Sequence, residues 1–585
     1  MMGYSMGVAL IAWGRFFDSS GNRITVPAPS TNPTFPWLLD FLAKQAVVLR
    51  RAGFTAIQLP PTSKAQGGAG AGCDGYGVFD PRDLGSKDQQ GSIPTRYGPK
   101  GALTRFIAVA HACGLDVYLD LVMHQRIGEN GGPGIFRYVG SDGVSLNGRG
   151  RTLPGWFRGV PPDNLPDDDV PNPYFDFPFG RELSYQHCRP PRVTVEDALD
   201  LGEWVFRTTG ADGARFDDVK GTWAPFVREF MTQGTMASKF FYAEYFDGNP
   251  ATLNWWANSA PMSGRSLVED FTIYWALQSA CDGGNVRGLN GAGYTSWRPD
   301  LTCTFVENPD TDTSPGQQII SNKLLAYAFI LSIEGYPFVY GKDYFASSVW
   351  PGAYGLQPWI DNLVWIHEHL ANGGTVTQYL DDKVIVLNRT GSPGLLTALN
   401  FDTLNARMIT CSTSFGPGTQ LHDYTGRHDD IRTDAEGRAT FTIPSNAFSR
   451  GQSYLCFSHS GLNVPNPIVA RSTTQTIFGA LDLDVGPVRN AQTLVGRITA
   501  EQGVPITVKV RPDRTNWRTN SALHIVLTDT ADRAVIDFIC LNDEGVAQGR
   551  TLEAGEYSLT LSGSNLPEGG SPFEIDVTYT APQSI

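Results

Sequence analysis

Short apolar segments of strand length alternate with segments of helical periodicity over about 370 residues, and this alternation limits the possible folds more than any other feature. The strand segments are almost continuously apolar, which is typical of a parallel sheet covered on both faces. An open sheet would fit this pattern, but eight strand–helix units favour a closed (β/α)8 TIM barrel. The predicted strands are Ser5–Trp13, Phe54–Pro60, Asp116–Met123, Ala211–Asp218, Lys239–Glu244, Ser266–Phe271, Leu301–Glu307 and Pro337–Tyr340.

Helical periodicity fills most of the intervals between these strands. Two early helices are followed directly by Gly53 and Gly114, and glycine is the residue that most often ends a helix. The predicted helices are Pro36–Ala52, Gly101–Cys113, Val195–Thr208, Ala224–Gln233, Tyr274–Cys281, Gln317–Ile333 and Trp359–Leu370.

One long interval departs from the alternation. His124–Val193 is rich in Gly, Pro and Asp and shows no helical periodicity, so we expect a small inserted domain there. Beyond the last helix, apolar and polar residues alternate with period 2, which indicates antiparallel sandwiches. The predicted domains are barrel residues 1–124 and 194–373, inserted residues 125–193, a β-sandwich at 374–460, a linker at 461–472 and an additional C-terminal β-sandwich at 473–585.

Charge and composition argue against several kinds of partner. The formal net charge of −14 argues against nucleic acid and against an anionic membrane surface. No stretch of about 20 apolar residues is present, so we expect no membrane span. The eight cysteines stand singly, which indicates neither a zinc site nor a dithiol redox site, although one or two disulfides are compatible with their number. We expect a monomer.

Asp217 is the first candidate for a catalytic role. Arg215 and Asp217 stand two residues apart on a predicted strand, so their side chains point the same way. A neighbouring guanidinium lowers the pKa of a carboxyl group and keeps it ionised at neutral pH. An ionised carboxylate at a strand end can act as a nucleophile. A buried structural ion pair is the alternative interpretation of this spacing.

Further acidic residues fall on or after other predicted strands. Glu244 follows the fifth strand, Asp310 follows the seventh, and Asp120 lies on the third. Barrel enzymes hold their catalytic groups at the carboxyl ends of the strands. Two carboxylates about 5–5.5 Å apart across a glycosidic bond support a retaining double displacement. Glu244 is flanked by aromatic residues, which favours the raised pKa of a general acid. Asp217, beside Arg215, suits the nucleophile.

Four short motifs around these residues resemble, in order, those of the alpha-amylase family, glycoside hydrolase family 13. They are DVYLDLVMHQ (Asp116–Gln125), GARFDDVK (Gly213–Lys220), FYAEYF (Phe241–Phe246) and FVENPDT (Phe305–Thr311). The stretches YGVFDPRDLG (Tyr76–Gly85), TRYGPKGAL (Thr95–Leu103) and EGYPFVYGKDYF (Glu334–Phe345) agree. The resemblance covers about residues 5–458, and the bacterial liquefying-type amylases look most similar.

The resemblance implies a role for individual residues and domains. The inserted segment would be the family's domain B, and the first sandwich its domain C. The implied roles are nucleophile for Asp217, acid/base for Glu244, stabiliser of the positively charged sugar for Asp310, orientation of the nucleophile for Arg215, stacking on the cleaved sugar for Tyr76 and contact on the acceptor side for Lys220.

Two of these motifs depart from the family. The first motif usually ends in Asn-His, where this chain has His124 and Gln125, and the fourth usually has His where this chain has Pro309. Both family histidines hydrogen-bond the sugar at the cleavage point. Gln125 can still donate one such bond, whereas a proline side chain can donate none. Losing both bonds would lower the rate by roughly 10- to 1000-fold unless other groups compensate.

The calcium site of the family also differs. The resemblance places its ligands at His124, within Gln186–Pro191, which contains no acidic residue, and at the carbonyl of Gly221. Because calcium prefers hard oxygen ligands, we expect the usual site to be absent and the chemistry to need no cofactor. The acidic run Asp163–Asp169 fits a solvated face better than an ion site.

The predicted function is retaining cleavage of alpha-1,4-glucosidic bonds in starch-like glucans and maltooligosaccharides. One alternative is an alpha-glucan transglycosylase that uses the same covalent glucosyl-enzyme intermediate. Another is a glucan-binding protein with weak or lost activity, although the presence of Asp217, Glu244, Asp310 and Arg215 together argues against it. The localisation is left open: the additional sandwich favours an extracellular protein whose leader has been removed, and the lack of a signal-peptide pattern in MMGYSMGVALIAW favours the cytoplasm.

Overall fold

Eight parallel strands form a closed barrel in the computed structural model, each strand beside its neighbour in the chain and the last beside the first. The predicted (β/α)8 barrel is therefore confirmed. The barrel strands are β1 Ala9–Ile11, β2 Ala56–Pro61, β3 Asp116–Leu121, β4 Gly213–Phe216, β5 Phe240–Ala243, β6 Leu267–Glu269, β7 Thr302–Phe305 and β8 Tyr336–Tyr340. The structure describes residues 7–17, 23–25, 37–127, 135–139, 145–171, 180–259, 261–347, 350, 352–447, 451–463, 472–481, 493–512, 514, 517–566 and 571–580.

Helices occupy most of the connections between the strands. Helix α2 shows how local sequence sets their limits: it begins after Pro99 and ends at Gly114, whose φ of 80° lies in the left-handed region that glycine tolerates. The helices are α1 Leu38–Ala52, α2 Lys100–Cys113, α3 Val193–Thr209, α4 Ala224–Thr232, α5 Pro250–Ala257, α6 Phe271–Cys281, α7 Lys323–Ile330, α8 Gly341–Tyr344 and α9 Gln357–Leu370.

Helix α7 is shorter than the predicted helix Gln317–Ile333. The backbone N–H of Ile319 donates to the Glu307 carboxylate (2.6 Å), and two following N–H groups donate to the Asp282 carboxylate. These side chains hold the segment before α7 outside the helix, so that prediction was wrong at its N-terminal end.

The sixth strand and the helix after it also divide differently from the prediction. The Asp270 carboxylate accepts hydrogen bonds from the N–H groups of Thr272 and Ile273, which makes Asp270 the helix N-cap. The strand therefore ends at Glu269, and α6 begins at Phe271.

The inserted segment contains short antiparallel pairs. Gln125–Arg126 pairs with Arg181–Glu182, and Ile135–Val139 pairs with Ser145–Arg151. A 3-10 turn, Pro154–Trp156, follows the second pair in the chain. No α-helix occurs in the described part of this segment, as its composition predicts.

Two all-β regions follow the barrel. In the first, a six-stranded sheet in the order β9-β10-β11-β16-β13-β14 accompanies the pair β12-β15. In the second, two four-stranded sheets have the orders β17-β24-β19-β22 and β18-β23-β20-β21. Part of the predicted linker, residues 464–471, lies outside the described residues. The strands are β9 Thr375–Leu380, β10 Val384–Arg389, β11 Leu395–Asn400, β12 Arg407–Ser412, β13 Gln420–Asp423, β14 Ile431–Arg432, β15 Arg438–Ile443, β16 Tyr454–His459, β17 Ser472–Leu481, β18 Thr493–Ala500, β19 Pro505–Pro512, β20 Ala522–Asp529, β21 Ala534–Cys540, β22 Gly545–Arg550, β23 Gly555–Ser564 and β24 Ser571–Thr580.

The chain forms two compact units, and each contains strands of the barrel. Unit 1 consists of Met1–Phe16, Leu49–Ile57 and Tyr242–Pro467, and includes the first sandwich. Unit 2 consists of Phe17–Val48, Gln58–Phe241 and Ile468–Ile585, and includes the inserted segment and the C-terminal sandwich.

Neither disulfides nor a membrane span accompany this fold. The cysteines form no disulfide with one another, although one or two bridges were compatible with their number. Among the described residues, every helix is too short or too polar to cross a bilayer.

Candidate active site

Asp217 lies at the carboxyl end of β4, in unit 2, beside two basic side chains. In the β3–β4 pairing Arg215 stands directly opposite Asp120, and its Nη1 contacts both Asp120 oxygens (2.9 and 3.0 Å). The same Nη1 donates to Asp217 Oδ1 at 2.9 Å. One guanidinium thus holds both carboxylates, and Asp217, 7% exposed, keeps a fixed position at the strand end.

His124 provides the second basic contact of Asp217. Its Nε2 lies 3.5 Å from Asp217 Oδ2, and the ring is buried. Burial raises the pKa of Asp217, but the interactions with His124 and Arg215 outweigh burial and hold this pKa below its usual value. Burial likewise opposes charge on His124, yet the contact with Asp217 and the nearby Asp218 and Glu182 carboxylates raise the pKa of His124. This pairing favours an ionised Asp217 at neutral pH.

Tyr76 and Gln125 complete this cluster. The Tyr76 hydroxyl donates to Asp120 Oδ2 at 2.8 Å, and the Gln125 amide donates to the Tyr76 carbonyl at 3.1 Å. Gln125 is fully buried and Tyr76 is 7% exposed. The structure therefore brings Tyr76, Gln125, Arg215 and Asp217 together within unit 2.

The turn after β4 carries Lys220, which is partly buried. Asp218 in this turn has a φ of 32°, a left-handed conformation that non-glycine residues seldom adopt. The Gly221 N–H donates to the Asp218 side chain, and the Gly221 carbonyl accepts a hydrogen bond of 3.0 Å from Arg158. The inserted segment thus contacts the turn that follows the candidate nucleophile.

Glu244 follows β5 directly, in unit 1, and is partly exposed. Its neighbour Tyr245 is buried, and Phe246, 46% exposed, packs edge-on against Phe271. Glu244 therefore lies at a strand end with aromatic residues next to it in the sequence, a pattern that favours a general acid.

Asp310 follows β7, also in unit 1, and its side chain is 54% exposed. It forms an ion pair with Arg15, a residue that follows β1 in the chain. The Arg15 side chain is only 6% exposed. The Arg15 carbonyl accepts a hydrogen bond of 2.9 Å from Lys342, which also pairs with the buried Asp312. A buried cation that follows β1 therefore holds Asp310, although β8 lies between β1 and β7 in the barrel.

Sequence reasoning missed two of these contacts. The sequence marks His124 as a departure from the first motif and from the calcium site, but it does not predict the contact of His124 with Asp217. The four motifs do not include Arg15, although a residue near the carboxyl end of a barrel strand is a candidate by position alone.

Trp256 is buried and Trp255 is 49% exposed, so at most one of this pair can offer a surface to a sugar ring. His111 contacts Asp212 at 2.8 Å, and His367 is buried with its Nδ1 2.9 Å from the Leu331 carbonyl.

Known proteins resemble the chain in sequence and in fold. It is 28% identical to an alpha-amylase of Geobacillus stearothermophilus over 76% of this chain and 91% of that protein. It is 24% identical to the cytoplasmic alpha-amylase of Escherichia coli (strain K12) over 68% of this chain and 92% of that protein. The gamma-CGTase structure from alkalophilic Bacillus clarkii shares the fold with a TM-score of 0.54 and 16% identity over 97% of this chain and 96% of that chain. No family model matches the chain.

The closed barrel carries carboxylates at its strand ends, where barrel enzymes hold their catalytic groups. The curated relatives are alpha-amylases over most of the chain, so the predicted resemblance is confirmed. This similarity supports an alpha-amylase-type glycoside hydrolase. One relative is named cytoplasmic. The localisation of this chain stays a prediction.

Proposed function

We propose that this chain hydrolyses alpha-1,4-glucosidic bonds in starch-like glucans and maltooligosaccharides with retention of anomeric configuration. The observation that carries the proposal is the setting of Asp217: a buried carboxylate at a barrel strand end, in contact with both Arg215 and His124. Both contacts keep it deprotonated, which is the state a nucleophile requires. The similarity to proteins named alpha-amylases supports the substrate class.

In the proposed reaction Asp217 attacks the anomeric carbon while Glu244 protonates the leaving oxygen, which breaks the glycosidic bond and forms a covalent glucosyl–Asp217 ester. Glu244, now ionised, takes a proton from water, and the water oxygen attacks the same carbon and releases Asp217. Asp310 stabilises the positive charge that develops on the sugar in both steps. Tyr76 contacts Asp120, which shares Arg215 with Asp217, and would form part of the wall of the sugar site. The buried Gln125 would hold the Tyr76 backbone in place.

Product analysis on maltoheptaose tests the proposal. We expect shorter maltooligosaccharides whose new reducing ends appear first as the alpha anomer in proton NMR. Asp217→Asn and Glu244→Gln should each lower kcat/KM by at least roughly 1000-fold, because each removes one of the two reacting groups. Asp200→Asn, which changes a carboxylate that is 77% exposed on α3, is the matched control and should retain full activity.

Other products would change the assignment. The beta anomer as first product would contradict retention. Products longer than the substrate would show that the transglycosylase alternative is correct. Binding to glucan without any turnover, at the same level in the wild-type chain and in Asp217→Asn, would identify a glucan-binding protein instead.

A further inference from the structure

A buried arginine of the inserted segment, Arg158, joins three parts of the chain. Its Nη1 donates to Glu182 Oε2 at 2.5 Å. Its Nη2 donates to the Gly221 carbonyl at 3.0 Å and lies 3.6 Å from Asp168 Oδ2. The Arg158, Glu182 and Asp168 side chains are all fully buried, so the prediction of a solvated face for Asp163–Asp169 is wrong at Asp168. One guanidinium is therefore surrounded by two carboxylates and a carbonyl oxygen.

The surrounding backbone fixes these oxygens in place. The Asp168 carboxylate accepts hydrogen bonds from Ser184 Oγ at 2.6 Å and from the Tyr185 N–H at 2.7 Å. The Glu182 carbonyl accepts a hydrogen bond of 3.1 Å from the Arg158 N–H. The oxygens are thus preorganised around the guanidinium by the same segment that supplies it.

Two carboxylates and a carbonyl are the ligands that a hard cation such as calcium prefers. In this chain a side-chain cation already lies among them. Arginine is suited to this position because its planar guanidinium stays charged and offers several donors in fixed directions. A divalent ion bound at the Gly221 carbonyl would meet the repulsion of a guanidinium about 3 Å away in a buried setting.

The remaining places implied for calcium do not supply ligands either. His124 carries an imidazole that lies beside Asp217. Gln186, in the stretch where the family has carboxylates, exchanges two hydrogen bonds with Asp169, its amide donating at 2.9 Å and its carbonyl accepting at 2.7 Å. The residues at the implied site therefore do not fit calcium.

We propose that the Arg158 guanidinium takes the place of a calcium ion and ties the inserted segment to the turn after β4. Arg158 then acts as a positioning residue: it holds the carbonyl of Gly221, which follows Lys220 directly and lies four residues after Asp217. The turn needs such an anchor because Asp218 is held in a strained left-handed conformation. The activity readout of this inference rests on the proposed function, whereas its stability readout does not.

The first test uses the wild-type chain. Thermal unfolding is measured after treatment with EGTA and again with calcium chloride in excess, and maltoheptaose cleavage is followed in parallel. We expect the melting temperature and kcat to be the same in all conditions. A melting temperature that falls with EGTA and recovers with calcium would overturn the inference.

The second test removes the guanidinium. Arg158→Met should lower the melting temperature by roughly 5–10 °C, because two buried carboxylates lose their cation. Arg192→Met is the matched control: this arginine pairs with Glu229 but is 53% exposed, so its loss should change the melting temperature by no more than about 1 °C. An Arg158→Met chain as stable as the wild type would contradict the inference.

Arg158→Lys separates positioning from simple stability and serves if Arg158→Met fails to fold. Lysine keeps the charge but cannot reach Glu182, Asp168 and Gly221 together. We expect kcat on maltoheptaose to fall by about 3- to 30-fold with a smaller change in KM. An unchanged kcat would count against a positioning role.

A wild-type chain could also prove inactive on glucans while its melting temperature is unaffected by EGTA. That result would support the inference through its stability readout and would count against the proposed function alone.

Discussion

Asp217 and Asp310, the candidate carboxylates at the ends of β4 and β7, are held in different ways. Asp217 is buried between Arg215 and His124, so its charge is stabilised by close contacts on two sides. Asp310 is half exposed and paired with the buried Arg15. The first setting suits a group that must form a bond, and the second suits a group that faces a substrate from the rim of a site.

Arg15 is therefore expected to matter for turnover. Arg15→Ala should lower kcat/KM on maltoheptaose by about 10- to 100-fold, because Asp310 loses a charge-assisted hydrogen bond that fixes its orientation. Steady-state kinetics together with thermal unfolding would measure the effect.

Arg287→Ala is the matched control for Arg15, since Arg287 also pairs with a carboxylate of unit 1, Asp382, but both side chains are largely exposed. It should leave kcat/KM unchanged. Higher activity in Arg15→Ala would show instead that Arg15 blocks Asp310.

Helix α9 carries a partly buried carboxyl group, Glu368. Burial raises the pKa of Glu368 to about 7, and Arg50 at the end of α1 offsets this only in part. Between about pH 4.3 and 7 the folded chain keeps a proton on Glu368 that the unfolded chain has released. The stability contributed by this group therefore falls as the pH rises through that range.

Glu368→Gln should remove this pH dependence. We expect its melting temperature to exceed that of the wild type by roughly 2–5 °C at pH 8 and by less at pH 5, because glutamine cannot ionise. Scanning fluorimetry at both pH values would measure the difference. Glu436→Gln is the control, because this carboxylate is 65% exposed, and its melting temperature should differ from the wild type by the same amount at both pH values. If Glu368→Gln raised the melting temperature equally at pH 5 and pH 8, the raised pKa of Glu368 would be contradicted.

In unit 2 the C-terminal sandwich packs against the barrel helix α2. Gln475 of β17 donates to the Thr104 hydroxyl at 2.9 Å, and the fully buried Arg105 pairs with both Asp40 of α1 and Glu556 of β23. This sandwich is thus part of the structure that supports the barrel rather than a separate module on a tether.

Arg105→Met tests that conclusion. It would leave the Asp40 and Glu556 carboxylates without their shared cation, so we expect a loss of about 3–5 kcal/mol of unfolding free energy. Denaturant titration would measure it. Arg514→Met, which breaks a largely exposed pair with Asp543 in the same sandwich, should cost less than about 1 kcal/mol. Equal effects of the two substitutions would show that Arg105 is not a structural link.

The sequence by itself determined the barrel and the Arg215–Asp217 contact. Periodicity is a local property, so the alternation of apolar strands and helices could be read directly, and a period of 2 on a strand places Arg215 and Asp217 on one side. Strand ends also marked Glu244 and Asp310 as candidates.

Only the tertiary structure decided which distant groups meet. Arg15 and Asp310 are 295 residues apart in the chain, Arg158 and Gly221 are 63 apart, and Arg105 and Glu556 are 451 apart. The start of α7 was likewise set by the side chains of Glu307 and Asp282, which take the N–H groups of the preceding segment. Such contacts depend on how packed elements bring side chains together, and no local pattern in the sequence records that.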